Sequence, residues 1–258
     1  MRNLEGRTCV VTGAAKSIGL GIAQRYCQLG AKVAMIDIDP LVTDSAQALC
    51  DQGYTACAYQ LDITDPEAVY QVFQEIRRNL GPIYALANVA GIVSQHPIEE
   101  VTRQEWERVM SVNVYGSFYC IQAALPDMKA AQEGKIINFS SKSGKTGSAL
   151  MVPYSSAKGA VIAMTQAIAY EVAKYQINCN CLCPGITDFT GVWDNVSAGY
   201  IRNLDMPRQQ VLDKFTAKIP LGRLASIEDM VDFVEFLTVA GDYCTGQAFN
   251  VSGGREMH

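Results

Sequence analysis

Residues 8–21 read TCVVTGAAKSIGLG, and this stretch decides the fold. Thr8–Thr12 is rich in β-branched residues, which predicts a strand, and Gly13 ends it. A helix follows and stops at Gly30; its apolar residues recur at helical spacing, at Ile18, Ile22, Tyr26 and Leu29. A glycine-rich turn between a strand and a helix N-terminus directs backbone N–H groups toward an anion such as a pyrophosphate.

The same alternation of short β-rich runs and longer helical periods continues along the chain. The further predicted strands are Lys32–Asp37, Tyr54–Gln60, Ile83–Ala87, Lys135–Ser140, Gln176–Leu182 and Gln247–Val251. A long helix is expected from Thr102 through Val114, and another begins at Pro153. This order predicts an α/β fold, a doubly wound parallel sheet with helices on both faces in a single domain, and ligands at the carboxyl edge of the strands.

Composition excludes several classes of function. The chain has 258 residues and a net charge of −5, which argues against nucleic acid or an anionic membrane as a partner. Its nine cysteines are scattered, and three of them alternate along one predicted strand, so they indicate packing rather than a metal site. Only two histidines are present, and neither has zinc-ligand spacing. The first residues contain no apolar signal core, so we expect a cytoplasmic location.

Tyr154 and Lys158 are four residues apart on a predicted helix, and Ser141 lies thirteen residues before the tyrosine. The helical spacing places the phenol and the ammonium on one face. A neighbouring cation favours the phenolate and lowers a tyrosine pKa. The sequence therefore predicts a proton-transfer group usable near neutral pH.

Two residues give opposite indications of which nicotinamide dinucleotide binds. Asp37 ends the second predicted strand, where a carboxylate accepts hydrogen bonds from the ribose hydroxyls and repels a 2′-phosphate. Lys16 in the turn would instead attract that phosphate. We give Asp37 more weight, because a carboxylate facing a phosphate is costly and a lysine side chain can turn away; NAD is expected, and NADP is the alternative.

These motifs resemble the short-chain dehydrogenase/reductase family in its single-domain branch, over essentially the whole chain. The resemblance implies a Rossmann-like fold, a homotetramer formed through long helices, and catalytic roles for Asn113, Ser141, Tyr154 and Lys158. Ser17 stands where the family's turn has its middle glycine. The cofactor contacts implied are Gly13, Ser17, Ile18, Gly19, Asp37, Asp62, Ile63, Asn88, Ala90, Gly91, Tyr154, Lys158, Pro184, Gly185 and Thr187. Thr190 is an alternative to Thr187 for contacting the nicotinamide amide.

The family's sugar-alcohol members resemble this chain around residues 139–147 and 243–254, which implies a polyol substrate. Lys142 and Lys145 follow the serine, and Arg202 and Arg208 lie further on; these cations raise the alternative of a phosphorylated or sulfonated polyol. Residues 187–220 interrupt the alternation and are expected to form a lid over the substrate. From another class, a dinucleotide-binding sensor without catalysis remains an alternative.

Overall fold

The structure is a computed structural model that describes residues 3–188 and 208–257. Its strands agree with the predicted runs to within one or two residues at each end, because each is a short apolar run bounded by turn residues. They are β1 (Thr8–Thr12), β2 (Lys32–Asp37), β3 (Thr55–Gln60), β4 (Ile83–Asn88), β5 (Gly134–Phe139), β6 (Ile177–Pro184) and β7 (Ala248–Val251).

All strands in the sheet run parallel, in the order β3-β2-β1-β4-β5-β6-β7. The chain reverses its direction of winding between β1 and β4, and a crevice opens there outside the carboxyl ends of the strands. The predicted fold class is thereby confirmed.

The helices cover both faces of the sheet. They are α1 (Ser17–Gln28), α2 (Leu41–Cys50), α3 (Pro66–Leu80), α4 (Arg103–Met110), α5 (Ser117–Ala131), α6 (Lys142–Thr146), α7 (Val152–Val172), α8 (Arg208–Thr216) and α9 (Ile227–Val239). Apolar residues of α1, α2 and α9 form one core with the sheet, and those of α3, α5 and α7 form the other. The sheet contributes to both cores because side chains of a buried parallel strand face both layers.

The helix predicted from Thr102 through Val114 starts as expected but does not continue as a regular α-helix. Thr102 caps α4 by accepting a hydrogen bond from the Glu105 N–H at 3.1 Å. Ser111–Gly116 then forms a π-helical turn before α5 begins. The Asn113 amide donates to the Val109 carbonyl at 2.9 Å, so a side chain enters the helical ladder at this turn. The turn aims Asn113 at the carboxyl edge of the sheet.

Some predictions fall on residues the structure does not describe. Thr190 and Arg202 lie outside the described ranges, as does most of the lid expected at 187–220. Within residues 3–188 and 208–257, the helices are too short or too polar to cross a membrane. The same described residues contain no cluster of three or more histidine, cysteine, aspartate or glutamate side chains arranged for a metal. Cys179, Cys181 and Cys183 are free thiols buried on β6.

Candidate active site

The glycine-rich turn after β1 is built for close approach of the backbone. A Cβ atom on Gly19 would lie 2.0 Å from the Gly13 carbonyl oxygen, and one on Gly13 would lie 2.9 Å from the Ala90 backbone. Gly13 also has a φ of +68°, which favours glycine. Ser17 adopts a φ of +56°, so the serine keeps the left-handed conformation that a glycine would take there with less strain. The departure from the family's pattern therefore leaves the shape of the turn intact.

Asp37 lies at the carboxyl end of β2 and faces this turn. Its Oδ2 accepts a hydrogen bond from the Ala15 N–H at 2.9 Å, and its Oδ1 accepts one from the Asp39 N–H at 3.0 Å. A carboxylate has about four lone-pair sites, so two remain for further donors. Lys16 is turned to Asp39, with Nζ and Oδ2 3.1 Å apart at the exposed surface.

Asp62 and Ile63 follow β3 on the same edge of the sheet. The Asp62 Oδ1 accepts hydrogen bonds from the Thr64 N–H at 2.9 Å and the Thr64 hydroxyl at 2.8 Å, which fixes the loop. Ile63 is buried against the π-helical turn, where a Cβ on Gly116 would lie 2.6 Å from its side chain. These contacts hold the loop after β3 beside the turn that carries Asn113.

Asn88 ends β4 and belongs to a polar chain buried beneath the site. It donates to Asn138 Oδ1 at 2.9 Å, and Asn138 donates to the Thr165 hydroxyl at 2.9 Å. Thr12 accepts from the N–H groups of Val89 and Ala90, at 3.1 and 3.2 Å. Through β5 these hydrogen bonds connect β4, which carries Asn88, to α7, which carries Tyr154 and Lys158. Asn138 and Thr165 were not predicted, since neither lies in a motif.

A cavity of about 550 Å³ opens at this edge of the sheet. Nine of the predicted site residues line it, and these are Ile18, Gly91, Asn113, Ser141, Tyr154, Lys158, Pro184, Gly185 and Thr187. The other eight do not line it. Gly13, Ser17, Gly19, Asp37, Asp62, Ile63, Asn88 and Ala90 lie in the turn after β1, at or after the ends of β2 and β3, and at or after the end of β4. These two groups of residues are arranged as expected for a dinucleotide that extends along the carboxyl ends of the strands and reaches into the cavity at one end.

Tyr154 and Ser141 meet inside the cavity. Burial raises the pKa of Tyr154 to about 12, and a hydrogen bond with Ser141 acts in the opposite direction. The Ser141 hydroxyl also accepts from the Ser143 N–H at 3.1 Å, since Ser141 is the N-cap of α6. Ser140 is oriented differently, with its hydroxyl donating to the Lys158 carbonyl at 2.7 Å. Of the two adjacent serines, Ser141 is therefore the one whose hydroxyl contacts Tyr154.

Lys158 differs from the sequence expectation in its electrostatics. Its side chain is buried, and its Nζ donates to the Phe139 carbonyl at 2.7 Å and lies 5.7 Å from the centre of the Tyr154 ring. Burial lowers the pKa of this ammonium to about 8, although Cys181 and Cys183 raise it. Burial has a larger effect on the Tyr154 pKa than any neighbouring charge, so the net shift is upward, opposite to the direction that the spacing to Lys158 predicts.

Asn113 points its side-chain oxygen into the same space. Its Nδ2 donates to the carbonyls of Ile92 and Val109, both at 2.9 Å. Its Oδ1 is buried and has no hydrogen-bond partner among the described residues. A Cβ on Gly91 would lie 2.6 Å from this oxygen and 3.3 Å from the Lys158 Nζ. Buried acceptors are normally hydrogen-bonded, so a ligand or a water is expected to donate a hydrogen bond to the Asn113 Oδ1.

The structure also brings cations to the cavity that the sequence did not single out. Lys142 lines it as expected, and Lys214, Lys218 and Arg255 do so as well. Lys145 is not part of the lining and donates to the Ala248 carbonyl at 2.6 Å. No sequence motif points to Lys218 and Arg255, because they come from segments distant from residue 141 in the chain. Only the tertiary structure brings them to the cavity.

These features fit a nicotinamide dinucleotide. Side chains at Gly13 and Gly19 would fill the turn, which leaves its backbone accessible to a pyrophosphate. Asp37 lies beside this turn with two lone-pair sites left to accept hydrogen bonds from ribose hydroxyls. The unsatisfied Asn113 oxygen and the Lys158 ammonium lie at the opposite end, next to Tyr154. The residues present would hold such a cofactor from the turn to the cavity.

Comparison with known proteins identifies the family of this chain. The family described as short chain dehydrogenase matches residues 7–200. The chain is 35% identical to a sorbitol dehydrogenase of Cereibacter sphaeroides, covering 98% of this chain and 99% of the relative. It is also 35% identical, with the same coverage, to a galactitol 2-dehydrogenase of Agrobacterium fabrum. A crystal structure of NAD⁺-bound xylitol dehydrogenase superimposes with a TM-score of 0.93 at 28% identity, covering 97% of this chain and 99% of that one. The chain belongs to the short chain dehydrogenase family and is an oxidoreductase that acts on CH–OH groups.

Proposed function

We propose that the protein transfers a hydride between a secondary alcohol of a polyol and NAD. The observation that carries this proposal is the meeting of Ser141, Tyr154, Lys158 and Asn113 in one cavity, at the same strand edge as the phosphate-binding turn. The polyol names of the sorbitol, galactitol and xylitol dehydrogenases support the substrate class.

The residues of the chain divide the proton chemistry among them. The nicotinamide ring, when bound, accepts or donates the hydride and in its oxidised form adds a positive charge. Ser141 hydrogen-bonds the reacting oxygen and stabilises charge there. Tyr154 takes the hydroxyl proton as the C–H bond breaks, and returns it in the reduction. Lys158 holds the nicotinamide ribose and, as an ammonium, favours the phenolate.

Asn113 completes the route for the proton. Its partnerless buried oxygen and the Lys158 ammonium both face the position beside Gly91. A water held between them would connect the Tyr154 proton to solvent through hydrogen bonds. The π-helical turn is what presents this oxygen, because an unbroken helix would direct it elsewhere.

NAD rather than NADP is favoured by the charges near the end of β2. Asp37 and Asp39 are both carboxylates beside the position of a 2′-phosphate, and Lys16 is paired with Asp39. A 2′-phosphate there would be repelled by the two carboxylates, and Lys16 is already paired with one of them.

Three further predictions are kept as part of this proposal. A lid at 187–220 is supported by Lys214, Phe215 and Lys218, which line the cavity from the described side. A homotetramer is supported by exposed Tyr115 and Phe118 near the start of α5, which a second copy would cover. The cytoplasmic location stays a prediction.

A panel of alcohols tests the function. The purified protein is incubated with sorbitol, galactitol, xylitol and simple secondary alcohols, with NAD and with NADP, and the absorbance of the reduced cofactor is followed. We expect turnover of at least one polyol, with a higher kcat/KM for NAD. Absence of turnover across the panel, while the cofactor still binds, would reject the dehydrogenase proposal and favour the sensor.

A further inference from the structure

One wall of the cavity that holds Tyr154 is strongly cationic. Lys142, Lys214, Lys218 and Arg255 line it in addition to Lys158. Aspartate and glutamate are missing from the lining among the residues that the structure describes. A neutral polyol offers hydroxyl groups, which need no concentration of charge, so the wall has more charge than the proposed reaction requires.

Two of these cations are partly buried, and they share one carboxylate. The side chains of Lys142 and Arg255 are only 19% and 14% exposed. Glu256 Oε1 lies 3.9 Å from the Lys142 Nζ and 3.4 Å from the Arg255 Nε. Buried cations are normally paired, and here Lys142, Lys218 and Arg255 bring three positive charges against the single negative charge of Glu256.

The Lys142 and Arg255 side chains have N–H groups that their contacts with the described residues do not use. The Lys142 ammonium donates to the Gly147 carbonyl at 3.2 Å and the Ser148 hydroxyl at 3.4 Å, which uses two of its three N–H groups. The Arg255 guanidinium packs over the Phe215 ring at 5.3 Å, a contact that holds it in place without using its N–H donors. Both groups therefore keep donors for an additional acceptor.

The positive charges are close enough to affect one another. Burial lowers the pKa of Lys142, the positive charges of Arg255 and Lys218 lower it further, and Glu256 opposes them. An anion in the cavity would relieve this repulsion and would restore the pKa of Lys142 toward its ordinary value.

We infer that Lys142, Lys218 and Arg255 form an anion subsite, and that the substrate is a polyol, or the related ketose, with a terminal oxyanion. This inference rests on the proposed function, since it names the substrate class of the same site. Phosphate, sulfonate and carboxylate share the required chemistry: a negative charge spread over oxygens that accept several N–H donors.

The position of the subsite fits one small molecule. Lys142, Lys218 and Arg255 line the same cavity as Ser141 and Tyr154, so one ligand can present an anion to the first group and a reacting carbon to the second. A cavity of about 550 Å³ falls within the usual range for small-molecule sites. In the oxidation, one hydrogen nucleus and two electrons pass together as hydride from the carbon to the nicotinamide. The hydroxyl proton passes to Tyr154. The anionic group takes no part in these bond changes and only orients the chain.

Steady-state kinetics with matched substrates tests the inference. We would measure kcat/KM for D-sorbitol, D-sorbitol 6-phosphate and D-gluconate at saturating NAD and constant ionic strength. We expect at least one anionic compound to exceed sorbitol by about tenfold or more, the effect of one charge-assisted hydrogen bond. Equal or better use of sorbitol than of both anionic compounds would overturn the inference.

Variants show whether the cluster is the cause. Lys218→Gln removes an exposed charge with little risk to folding, and Arg255→Gln removes a partly buried one. Each should lower the ratio of anionic to neutral kcat/KM by about tenfold. Lys174→Gln is the matched control, because residue 174 follows the far end of α7, roughly 30 Å from Tyr154 along the helix. An unchanged ratio in both cluster variants would also overturn the inference.

A binding measurement separates this inference from the proposed function. Calorimetry with D-sorbitol 6-phosphate, with D-gluconate and with sorbitol, each in the presence of NAD, does not depend on turnover. Tighter binding of an anionic compound that is lost in Arg255→Gln, without oxidation of any polyol, would support the subsite while the polyol dehydrogenase proposal fails. Turnover of neutral polyols with no preference for anions in binding would support the polyol dehydrogenase proposal and reject the anion subsite.

Discussion

The buried Lys158 ammonium is predicted to lower the free energy of unfolding of the protein. Replacing the lysine by methionine measures this contribution. The side chain is 4% exposed, and its ammonium donates to the Phe139 carbonyl. Methionine has a similar volume and no charge, so Lys158→Met removes a buried cation without opening a large cavity. The same substitution should abolish turnover, because the ammonium is proposed to hold the ribose and to favour the Tyr154 phenolate.

The size of the effect follows from the pKa of Lys158. Burial lowers the pKa from 10.5 to about 8, which corresponds to roughly 3 kcal/mol of destabilisation while the amine is protonated in both the folded and the unfolded state. Loss of the hydrogen bond to Phe139 offsets about 1 kcal/mol or more of any gain. A net stabilisation of about 1–2 kcal/mol is therefore expected near pH 7.

The sign of the pH dependence provides the sharper readout. The folded state releases its proton near the lowered pKa of about 8, whereas the unfolded chain keeps its proton until about 10.5. Between these values the unfolded state binds more protons, so the stability of the wild type rises with pH and the advantage of the variant shrinks. Applying both pKa values, the difference between variant and wild type falls by roughly 2 kcal/mol from about pH 7 to about pH 9.5.

Urea unfolding of the wild type and of Lys158→Met, at both pH values and without added cofactor, measures this difference. A Cys183→Ser background is the control, because a hydrogen bond with Cys181 lowers the pKa of the Cys183 thiol and its titration would add a second pH dependence. The reasoning is refuted by a difference between variant and wild type that stays constant within about 0.5 kcal/mol across the two conditions, since burial would then not have shifted the lysine.

The other predictions concern Tyr154, Ser17 and Asp37. Tyr154→Phe should lose turnover by about 10³-fold or more while its NAD affinity, measured by calorimetry, changes little; a variant that keeps half of its rate contradicts the assigned role. In the wild type, kcat for alcohol oxidation should rise with pH because the raised pKa of Tyr154 keeps it protonated near neutrality, and the reduction should show the opposite trend. Ser17→Gly should stabilise the protein by up to about 1 kcal/mol in urea unfolding, because Ser17 has a φ of +56°, whereas Ser17→Ala should not; equal effects of the two would remove the strain argument. Asp37→Asn should reduce the ratio of kcat/KM with NAD to that with NADP by about tenfold, and an unchanged ratio would show that Asp37 does not set the preference.

Much of the fold could be read from local pattern. β1 and β2 were predicted with their observed ends, because each is a run of β-branched or apolar residues bounded by a turn. The π-helical turn at Ser111–Gly116 could not be predicted in form, since it depends on where the Asn113 amide finds carbonyl acceptors. Asn113 itself was identified through the resemblance to the family.

Some features of the candidate site could likewise be predicted from the sequence, and others depend on the tertiary structure. Spacing identified Ser141, Tyr154 and Lys158, because the helical repeat and the strand end fix where such residues lie. The pKa values could not be inferred from spacing, since spacing shows which charges are near but not how much water is removed. Burial reversed the expected direction for Tyr154.

The sequence by itself predicted the order of strands and helices along the chain, the glycine-rich turn and the candidate proton-transfer residues, because these depend on residues close together in the chain. Only the tertiary structure decided that Lys142 lines the cavity while Lys145 bonds to β7, and that Lys218 and Arg255 join it. Contacts between distant segments depend on how the sheet edge and the C-terminal residues pack together, and no local period of the sequence records that packing.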